Sequence, residues 1–364
     1  MAEVVLKNVS KKYGQLEAVK NLSLDCKDGE FVVILGPSGA GKTTTLKMIA
    51  GLEKITAGQV FIGGREVNQL EPRQRRVAMV FENYALYPQA TVYENIASPL
   101  RAARVPQAEL DKRVKQVAGM LQIDQYLDRK PANLSGGQQQ RVSFGRALIK
   151  QADVYLMDEP LTHLDAKLRH EMRRELRRMH SELGTSTLYV THDFREAMAL
   201  ADRMLVLMKG EVQQVGTPSQ IYYEPANERV ADLIGEPPMN LLPCSLVHKD
   251  GGVHFDSQWF SMPVPESILP AIGRMPNSGE VHIGIRPGDI RVTNEPAKGR
   301  GFRAEVYVLE PLGGVAVLTV KIGGSLWKIR VSDEYTANIG DVVWIELAQD
   351  RLHVFDAASG LRII

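Results

Sequence analysis

The stretch FVVILGPSGAGKTTTLKMIA, residues 31–50, decides the fold of this chain. It opens with an apolar run at 31–35, which is typical of a strand buried on both faces of a parallel sheet. A helical stretch at 44–50 follows, and the loop between them matches the pattern GxxxxGK followed by Ser or Thr. In that position glycines let several backbone N–H groups face one anion, and the helix N-terminus adds a favourable dipole. The sequence therefore predicts a phosphate-binding loop in an α/β fold.

The loop residues have distinct predicted roles toward a phosphate-bearing ligand and its Mg²⁺ ion. Lys42 supplies a mobile positive charge, and Thr43 supplies a hydroxyl for Mg²⁺. A glycine-rich turn without a ligand is the alternative, which the strand and helix on either side disfavour. The predicted ligand-binding residues are Gly36, Pro37, Ser38, Gly39, Ala40, Gly41, Lys42, Thr43 and Thr44.

The composition is that of a globular protein with about two hydrophobic cores. The chain has 364 residues, and 44 Lys and Arg against 43 Asp and Glu give a formal net charge of +1. This balance gives no reason to expect bulk electrostatic binding to nucleic acid or anionic lipid. Cys26 and Cys244 form no CxxC pattern, which argues against a disulfide framework or a zinc site and fits a reducing cytosol. No signal peptide is recognisable, and the apolar runs are far shorter than the ~20 residues of a membrane-spanning helix.

Two regions of different character divide the chain. In residues 1–235, short β-rich runs alternate with helical stretches, which predicts a largely parallel sheet covered by helices. A helical subdomain is predicted within this region at about 89–152. In residues 236–364, short strands separated by Gly, Pro, Asn and Asp predict an all-β barrel domain.

Two acidic residues, Asp158 and Glu159, end the apolar run at 154–157. An aspartate at the carboxyl end of a buried strand can hold Mg²⁺, directly or through water, and the adjacent glutamate can polarise an attacking water. His192 ends another predicted strand and could reach a γ-phosphate from the same edge of the sheet. A solvated acidic loop is the alternative, which the phosphate-binding loop on the same sheet disfavours.

A second helix start, LSGGQ at 134–138, is the most informative stretch. It provides a second helix N-terminus suited to an anion, although alone it is also an ordinary N-cap and turn. The combined motifs resemble those of the ABC transporter ATPases in order and spacing, and the resemblance covers residues 1 to about 235. The motifs are the loop at 36–43, LSGGQ at 134–138, LMDEP at 156–160, LD at 164–165 and THD at 191–193.

This resemblance implies a head-to-tail dimer in which each ATP, with its Mg²⁺, lies between the phosphate-binding loop of one subunit and the LSGGQ loop of the other. Tyr13 matches the aromatic residue that stacks on adenine, although a tyrosine in such a segment is more often a packing residue. The implied catalytic residues are Lys42, Glu159 as general base, and His192 as γ-phosphate sensor. The remaining implied contacts are Ser135, Gly136, Gly137, Gln138 and Asp165 across the dimer interface, and Thr43, Glu82 and Asp158 at Mg²⁺.

The C-terminal region indicates one group within this family. GEPPMNLLP at 235–243, GIRPGDI at 284–290 and LEPLGG at 309–314 look like the OB-like regulatory β-domain of bacterial carbohydrate importers. That group includes the maltose and glycerol-phosphate transporter ATPases. YALYP at 84–88 looks like the segment that these ATPases present to a coupling helix of the membrane subunits.

The implied function is ATP hydrolysis that drives import of a sugar, glycerol or glycerol phosphate. The implied partners are two transmembrane permease subunits, a second ATPase subunit and, indirectly, an extracytoplasmic substrate-binding protein, with no nucleic acid among them. The implied location is peripheral, on the cytoplasmic face of the inner membrane.

Glu82 departs from the family pattern, which has glutamine at this position. A carboxylate adds negative charge beside Glu159 and the γ-phosphate. RVSFGRAL at 141–148, where small residues and ARAL are usual, and Thr162-His163, where Ser-Asn is common, are further departures. Three interpretations therefore remain: an active homodimer, a heterodimer with a more standard ATPase subunit, and a catalytically weakened regulatory subunit.

Two other interpretations compete with an importer subunit. A soluble ABC-family ATPase acting on DNA or ribosomes would be expected to carry a long coiled-coil insertion or two ATPase cassettes, and the sequence has neither. The basic stretch at 167–180 could indicate nucleic acid binding. Because Glu171 and Glu175 interleave its arginines, a solvated amphipathic helix face is the better interpretation.

Overall fold

The structure, a computed structural model, describes residues 2–150, 152–162, 164–249, 251–273, 279–293, 295 and 301–364. The chain forms two compact units, Met1–Ser219 and Gln220–Ile364. Strands and helices of the first unit are, in chain order, β1 (Val4–Tyr13), β2 (Leu16–Cys26), β3 (Phe31–Leu35), α1 (Lys42–Ala50), β4 (Ala57–Ile62), β5 (Arg65–Glu66), β6 (Val77–Val80), α2 (Val92–Ala102), α3 (Gln107–Met120), α4 (Gly136–Leu148), β7 (Val154–Asp158), α5 (Ala166–Leu183), β8 (Ser186–Thr191), α6 (Phe194–Leu200), β9 (Arg203–Met208) and β10 (Glu211–Gly216).

Helix α7 (Pro218–Tyr223) spans the division between the units. The second unit continues with α8 (Glu228–Leu233), β11 (Asn240–Lys249), β12 (Gly252–Asp256), β13 (Ser261–Pro263), α9 (Leu269–Ile272), β14 (Glu280–Ile285), β15 (Ile290–Thr293), β16 (Phe302–Pro311), β17 (Ala316–Ile322), β18 (Ser325–Val331), β19 (Val342–Leu347) and β20 (His353–Asp356).

The central sheet of the first unit has the strand order β10-β9-β3-β8-β7-β6. Its neighbours are parallel except for the antiparallel pair β9 and β10. Every residue of β3, β7 and β8 is buried. Burial on both faces explains why β3 is a continuous apolar run and β7 is apolar up to Asp158 rather than alternating. The prediction of one largely parallel sheet in an α/β fold is confirmed.

A second, antiparallel sheet of the first unit has the order β2-β1-β4-β5. Apolar side chains from both sheets and from α1 form a shared core, which includes Leu6, Leu22, Ile34, Ile49 and Leu188. Helix α1 therefore has its buried face against the sheet while its N-terminus extends from the end of β3. It begins at Lys42, two residues before the predicted stretch 44–50, because the left-handed Gly41 is its N-cap.

The chain between β6 and β7 contains α2, α3 and α4 and no strand among its described residues. Both α2 and α4 begin with a capping box, formed by Thr91 with Glu94 and by Ser135 with Gln138. The two helices pack closely, since a Cβ on Gly145 of α4 would lie 3.2 Å from the side chain of Ile96 of α2. This segment is the region for which the sequence predicts a helical subdomain at about 89–152.

The second unit is built on two antiparallel sheets of five strands. Their orders are β13-β12-β11-β14-β20 and β15-β19-β16-β17-β18. Side chains from both sheets share a core that includes Phe255, Ile283, Leu318, Trp327 and Ile345. The prediction of a C-terminal all-β domain is confirmed.

Arg286, in the GIRPGDI motif, is held by residues that precede residue 236 in the chain. It is buried, and its guanidinium donates to the carbonyls of Ala231 and Ile234 and, at 2.8 Å, to that of Tyr222. Burial lowers the pKa of Arg286. The segment around α8 thus supplies the acceptors for a charge buried against the strands of this unit. The domain boundary at 235/236 stays a prediction.

Among the described helices, none is long and apolar enough to cross a membrane.

We predict that a fragment 220–364 is markedly more stable than a fragment 236–364. The shorter fragment loses the three carbonyl acceptors of Arg286, and hydrogen bonds from a charged group contribute about 1.5–3 kcal/mol each. It also loses the packing of Ala231 against Met239 and Phe355. Thermal unfolding of the two fragments should differ by about 10 °C or more. Arg286→Met in the longer fragment should lower its melting temperature toward that of the shorter one, because it leaves the three carbonyls without their donor. Equal melting temperatures for the two fragments would contradict this account.

Candidate nucleotide-binding site

The loop between β3 and α1 folds around its glycines. Gly39 and Gly41 have φ values of +77° and +101°, which side-chain-bearing residues rarely adopt. At Gly36, an added Cβ would lie 2.1 Å from the carbonyl oxygen of Leu207 in the neighbouring strand β9. The loop therefore passes too close to the sheet for any other residue at Gly36. It leads into the N-terminus of α1, an end of a helix that is suited to an anion.

The strand order brings the other predicted residues to the same edge of the sheet. Strand β3 pairs with β8, β8 with β7, and β7 with β6, all in parallel. The phosphate-binding loop follows β3, His192 follows β8, Asp158 ends β7, and Glu82 lies just beyond β6. Because parallel strands end on one side, four segments that are distant in sequence meet there.

Thr43 and Asp158 form the part of the site suited to a cation. The Thr43 hydroxyl donates to Asp158 Oδ1 at 2.7 Å. Burial is the main cause that raises the pKa of Asp158, and the charges of Glu159 and Glu82 raise it further, while the bond from Thr43 opposes them. A bound cation would stabilise this buried carboxylate in its ionised form.

Glu159 lies between two positively charged or protonatable groups. Its Oε1 is 3.3 Å from Lys42 Nζ, and its Oε2 is 2.7 Å from His192 Nδ1. Its backbone has a φ of +43°, a conformation that costs about 1–2 kcal/mol for an L-residue. The Glu159 N–H donates to the carbonyl of Val190 at 3.0 Å, which holds this turn against β8. Such strain at the end of a buried strand is typical of functional sites.

The neighbours of Glu159 keep it ionised. Burial alone would raise the pKa of Glu159, but the hydrogen bond with His192 and the charge of Lys42 outweigh burial and hold it below the usual value. Glu159 is therefore a carboxylate at neutral pH, the form required of a general base. The predicted group of Lys42, Glu159 and His192 is assembled within this one chain.

No described set of three or more His, Cys, Asp or Glu side chains is arranged to hold a metal ion by itself. In proteins that bind nucleotides, Mg²⁺ is held mainly by phosphate oxygens and water, with one or two protein ligands. Thr43 and Asp158 have the positions for that role. Glu82 is exposed, yet it is near enough for its charge to raise the pKa of Asp158.

The predicted residues of the dimer interface have defined local roles. The Ser135 side chain accepts a hydrogen bond from the Gln138 N–H and is the N-cap of α4. Gly137 packs so closely that a Cβ would lie 2.1 Å from Leu168 Cδ2. Asp165 is the N-cap of α5 and accepts from the Leu168 N–H at 2.9 Å. Their contacts with a second subunit stay a prediction.

Two further positions that the sequence analysis singled out are Tyr13 and Thr162. Tyr13 ends β1 and is 41% exposed, and its ring has Lys11 Nζ at 4.6 Å from the centroid. An exposed ring leaves a face for adenine, although its role stays a prediction. The Thr162 hydroxyl donates to Glu159 Oε2 at 3.3 Å, whereas His163 lies outside the described residues.

Arg169 is a residue whose role the sequence did not indicate. The sequence predicts a solvated helix face at 167–180, but the Arg169 guanidinium donates to the Leu164 carbonyl at 3.1 Å. Its Nη1 is 3.8 Å from Asp193, next to His192. Arg169 thus braces the segment before Asp165 against the turn that carries His192. The sequence does carry one signal of this role: Arg169 lies four residues after Asp165, so the two face the same side of the start of α5.

Comparison with known proteins agrees with this geometry. A family profile described as ABC transporter matches residues 19–162, and one described as TOBE domain matches residues 283–355. The sn-glycerol-3-phosphate import ATP-binding protein UgpC of Cupriavidus pinatubonensis is 46% identical over the whole of both chains. The trehalose/maltose import ATP-binding protein MalK of Thermococcus litoralis is 44% identical, again over the whole of both chains.

This chain belongs to the ATP-binding subunits of ABC transporters.

A solved structure extends the comparison for this ABC subunit. The dimeric ATP-binding cassette MJ0796, in a post-hydrolysis state bound to ADP and Pi, superposes with a TM-score of 0.55 at 36% identity. The match covers 59% of this chain and 98% of that one. The family predicted from the sequence motifs is confirmed, and the ABC subunit is an ATPase that binds ATP.

We predict that Lys42 and Glu159 of the ABC subunit act at different steps. Lys42→Ala removes a charged hydrogen-bond donor and should weaken ATP binding about 10- to 100-fold. Glu159→Gln removes the base and should lower kcat by about 100-fold or more while ATP still binds. Equilibrium binding of a fluorescent ATP analogue and steady-state hydrolysis measure the two effects. Glu66→Gln, on the exposed strand β5, is the matched control. Wild-type hydrolysis in both variants would disprove the assignment.

Proposed function

We propose that this subunit hydrolyses ATP to drive import of a carbohydrate or polyol, of the sugar, glycerol or glycerol-phosphate class, through an ABC transporter. The observation that carries the proposal is Glu159, an ionised base held between Lys42 and His192 at the end of the phosphate-binding sheet. Relatives that match over their whole length are import ATP-binding proteins for sn-glycerol-3-phosphate and for trehalose and maltose.

The site residues divide the chemistry among them. The loop N–H groups and Lys42 hold the phosphates and neutralise their charge, as phosphoryl transfer requires. Thr43 and Asp158 would hold Mg²⁺, which would further neutralise the charge of the phosphates. Glu159 orients and deprotonates the attacking water, and His192, which is hydrogen-bonded to Glu159, fixes this carboxylate and faces the γ-phosphate.

A second ATPase subunit completes the proposed assembly. The helix N-terminus at Ser135 and the residue Asp165 would then face the nucleotide held by the partner. The dimeric cassette that matches the first part of this chain supports this arrangement. Two permease subunits in the membrane, with this subunit peripheral on their cytoplasmic face, and an extracytoplasmic binding protein complete the importer.

The test of this function is reconstitution in liposomes with any permeases and binding protein found encoded nearby. We expect the rate of ATP hydrolysis to rise about tenfold or more when the binding protein carries its solute. In a coupled transporter, most ATP hydrolysis accompanies transport. sn-Glycerol-3-phosphate, glycerol, maltose and trehalose should be compared. Equal hydrolysis with every solute and without permeases would argue against an importer subunit.

Glu82 supports a second candidate, a subunit with weakened catalysis that pairs with a more active ATPase. Its charge already raises the pKa of Asp158. Two unit charges at about 4 Å interact by about 4 kcal/mol at an effective dielectric near 20, and 1.36 kcal/mol of barrier is about tenfold in rate. A direct contact of Glu82 with Mg²⁺ would offset this repulsion.

We predict that Glu82→Gln raises kcat by about tenfold in the purified subunit, because it removes negative charge beside Glu159 and the γ-phosphate. Hydrolysis should be measured for the subunit alone and with any second ATPase encoded nearby. Glu66→Gln again controls for the loss of a surface carboxylate. A wild-type homodimer whose rate and transport do not change on this substitution would rule out the asymmetric pair.

A further inference from the structure

The second unit contains an open cavity of about 840 Å³ that residues of both its sheets line. We name it the β13 cavity, and its lining consists of residues 259–263, 301–303, 346, 347 and 349. One wall is the edge strand β13 with the turn before it, and the other is the start of β16 with the end of β19. The volume lies within the range of ~300–1,000 Å³ that is usual for small-molecule sites.

Aromatic rings form the apolar part of this lining. The rings of Phe260 and Phe302 stack with their centroids 5.1 Å apart and their planes at 19°. The buried ring of Trp327 meets Phe302 edge-on, with the centroids 6.0 Å apart. Stacked and edge-on contacts of this kind stabilise rings in defined orientations. The cavity therefore has an aromatic surface whose position is set by the core of the unit.

Trp259 adds an exposed aromatic side chain to the cavity. The Ser257 hydroxyl accepts from the N–H groups of Trp259 and Phe260 at 3.3 and 3.2 Å, which shapes the turn between β12 and β13. The indole lies so close to Gly323 that an added Cβ there would be 1.9 Å from Trp259 Cε2. Trp259 is nevertheless 43% exposed. An indole held in this way offers contact area to a ligand at a low cost in conformational entropy.

Polar side chains on the opposite wall supply hydrogen-bonding groups. Arg303 lies on β16, Glu346 lies on β19, and Gln349 follows β19. None of these three side chains has a hydrogen bond or an ion pair with another described residue. Together they offer guanidinium and amide donors, and carboxylate and amide acceptors.

The charge and polarity of the lining limit the class of ligand. Arg303 and Glu346 are its charged residues and leave it without net charge, whereas sites for phosphate groups are rich in basic side chains. A wholly apolar ligand would desolvate these polar groups without giving them partners. A sugar or polyol meets both conditions, because its C–H groups can pack on aromatic rings while its hydroxyls both donate and accept hydrogen bonds.

We propose that the β13 cavity binds a neutral sugar or polyol. Trp259 packs against the C–H groups of the ligand, Glu346 accepts from its hydroxyls, and Arg303 donates to them. The choice of solute rests on the proposed function, in which a transporter for this class delivers its solute to the side of the membrane where this subunit lies. The cavity is then filled as imported solute accumulates.

The test is a titration of the full-length protein, without ATP and without permeases. Glucose, maltose, trehalose, glycerol and sn-glycerol-3-phosphate are added in turn, and binding is followed by saturation-transfer NMR and by tryptophan fluorescence. We expect at least one of the four neutral solutes to bind with a Kd of about 0.1–10 mM. sn-Glycerol-3-phosphate should bind at least about tenfold more weakly, because the lining has no net positive charge to offset its phosphate.

Variants of the lining locate the bound solute. Trp259→Ala should raise the Kd about tenfold, because the solute loses its aromatic contact. Glu346→Gln, which keeps the shape of the side chain, should raise it about fivefold through loss of a charged acceptor. Tyr307→Ala and Glu305→Gln are the matched controls, since both residues are exposed on β16 and neither lines the cavity. The melting temperature of Glu346→Gln should equal that of the wild type.

Three results would overturn the proposal. They are no binding of the four neutral solutes up to about 50 mM, tighter binding of sn-glycerol-3-phosphate than of every neutral solute, and a Kd that Trp259→Ala and Glu346→Gln both leave unchanged. The titration contains no ATP and no permeases, so it can be interpreted whatever the liposome experiment gives. Failure of import in liposomes would contradict the proposed function, whereas failure of binding here would contradict the β13 cavity alone.

Discussion

The parallel pairing of four buried strands is the constraint on which the rest of the first unit depends. The order β3, β8, β7 and β6 places the loop at 36–43, His192, Glu159 and Glu82 along one edge. Each strand is anchored by burial on both faces, and a continuous ladder fixes their register. The catalytic groups are therefore held by the sheet, and their own loops need little independent stability.

Charge compensation follows from this arrangement. Asp158 and Glu159 are adjacent carboxylates with little exposure to solvent, and their environments shift the pKa values in opposite directions. Asp158 is mainly desolvated, whereas Glu159 has Lys42 and His192 as partners. One strand end thus provides a carboxylate suited to a cation and another suited to a water molecule, which is a common division of roles between neighbouring acids.

Backbone carbonyls that accept from arginine recur as a structural device in both units. Arg146 fixes the strained residues Tyr84 and Ala85, Arg169 holds the segment before Asp165, and Arg286 fixes the segment around α8. In each case a long side chain ties an irregular segment to a helix or strand. Sequence patterns do not reveal such ties, because the acceptors are main-chain atoms and carry no residue-type signature. This is why the sequence does not indicate the role of Arg169.

The sequence by itself determined the α/β class, the phosphate-binding loop, the helix start at Ser135, the acidic pair and the all-β C-terminal region. These features depend on local chemistry: apolar runs that must be buried, glycines that permit left-handed backbone, and side chains that cap helices. Only the tertiary structure decided that β8 lies between β3 and β7, so that His192 contacts Glu159. It also decided that Ser143 and Arg146 of α4 bind the carbonyls of Tyr84 and Ala85. Both contacts join segments that are distant along the chain, so local sequence patterns do not reveal them.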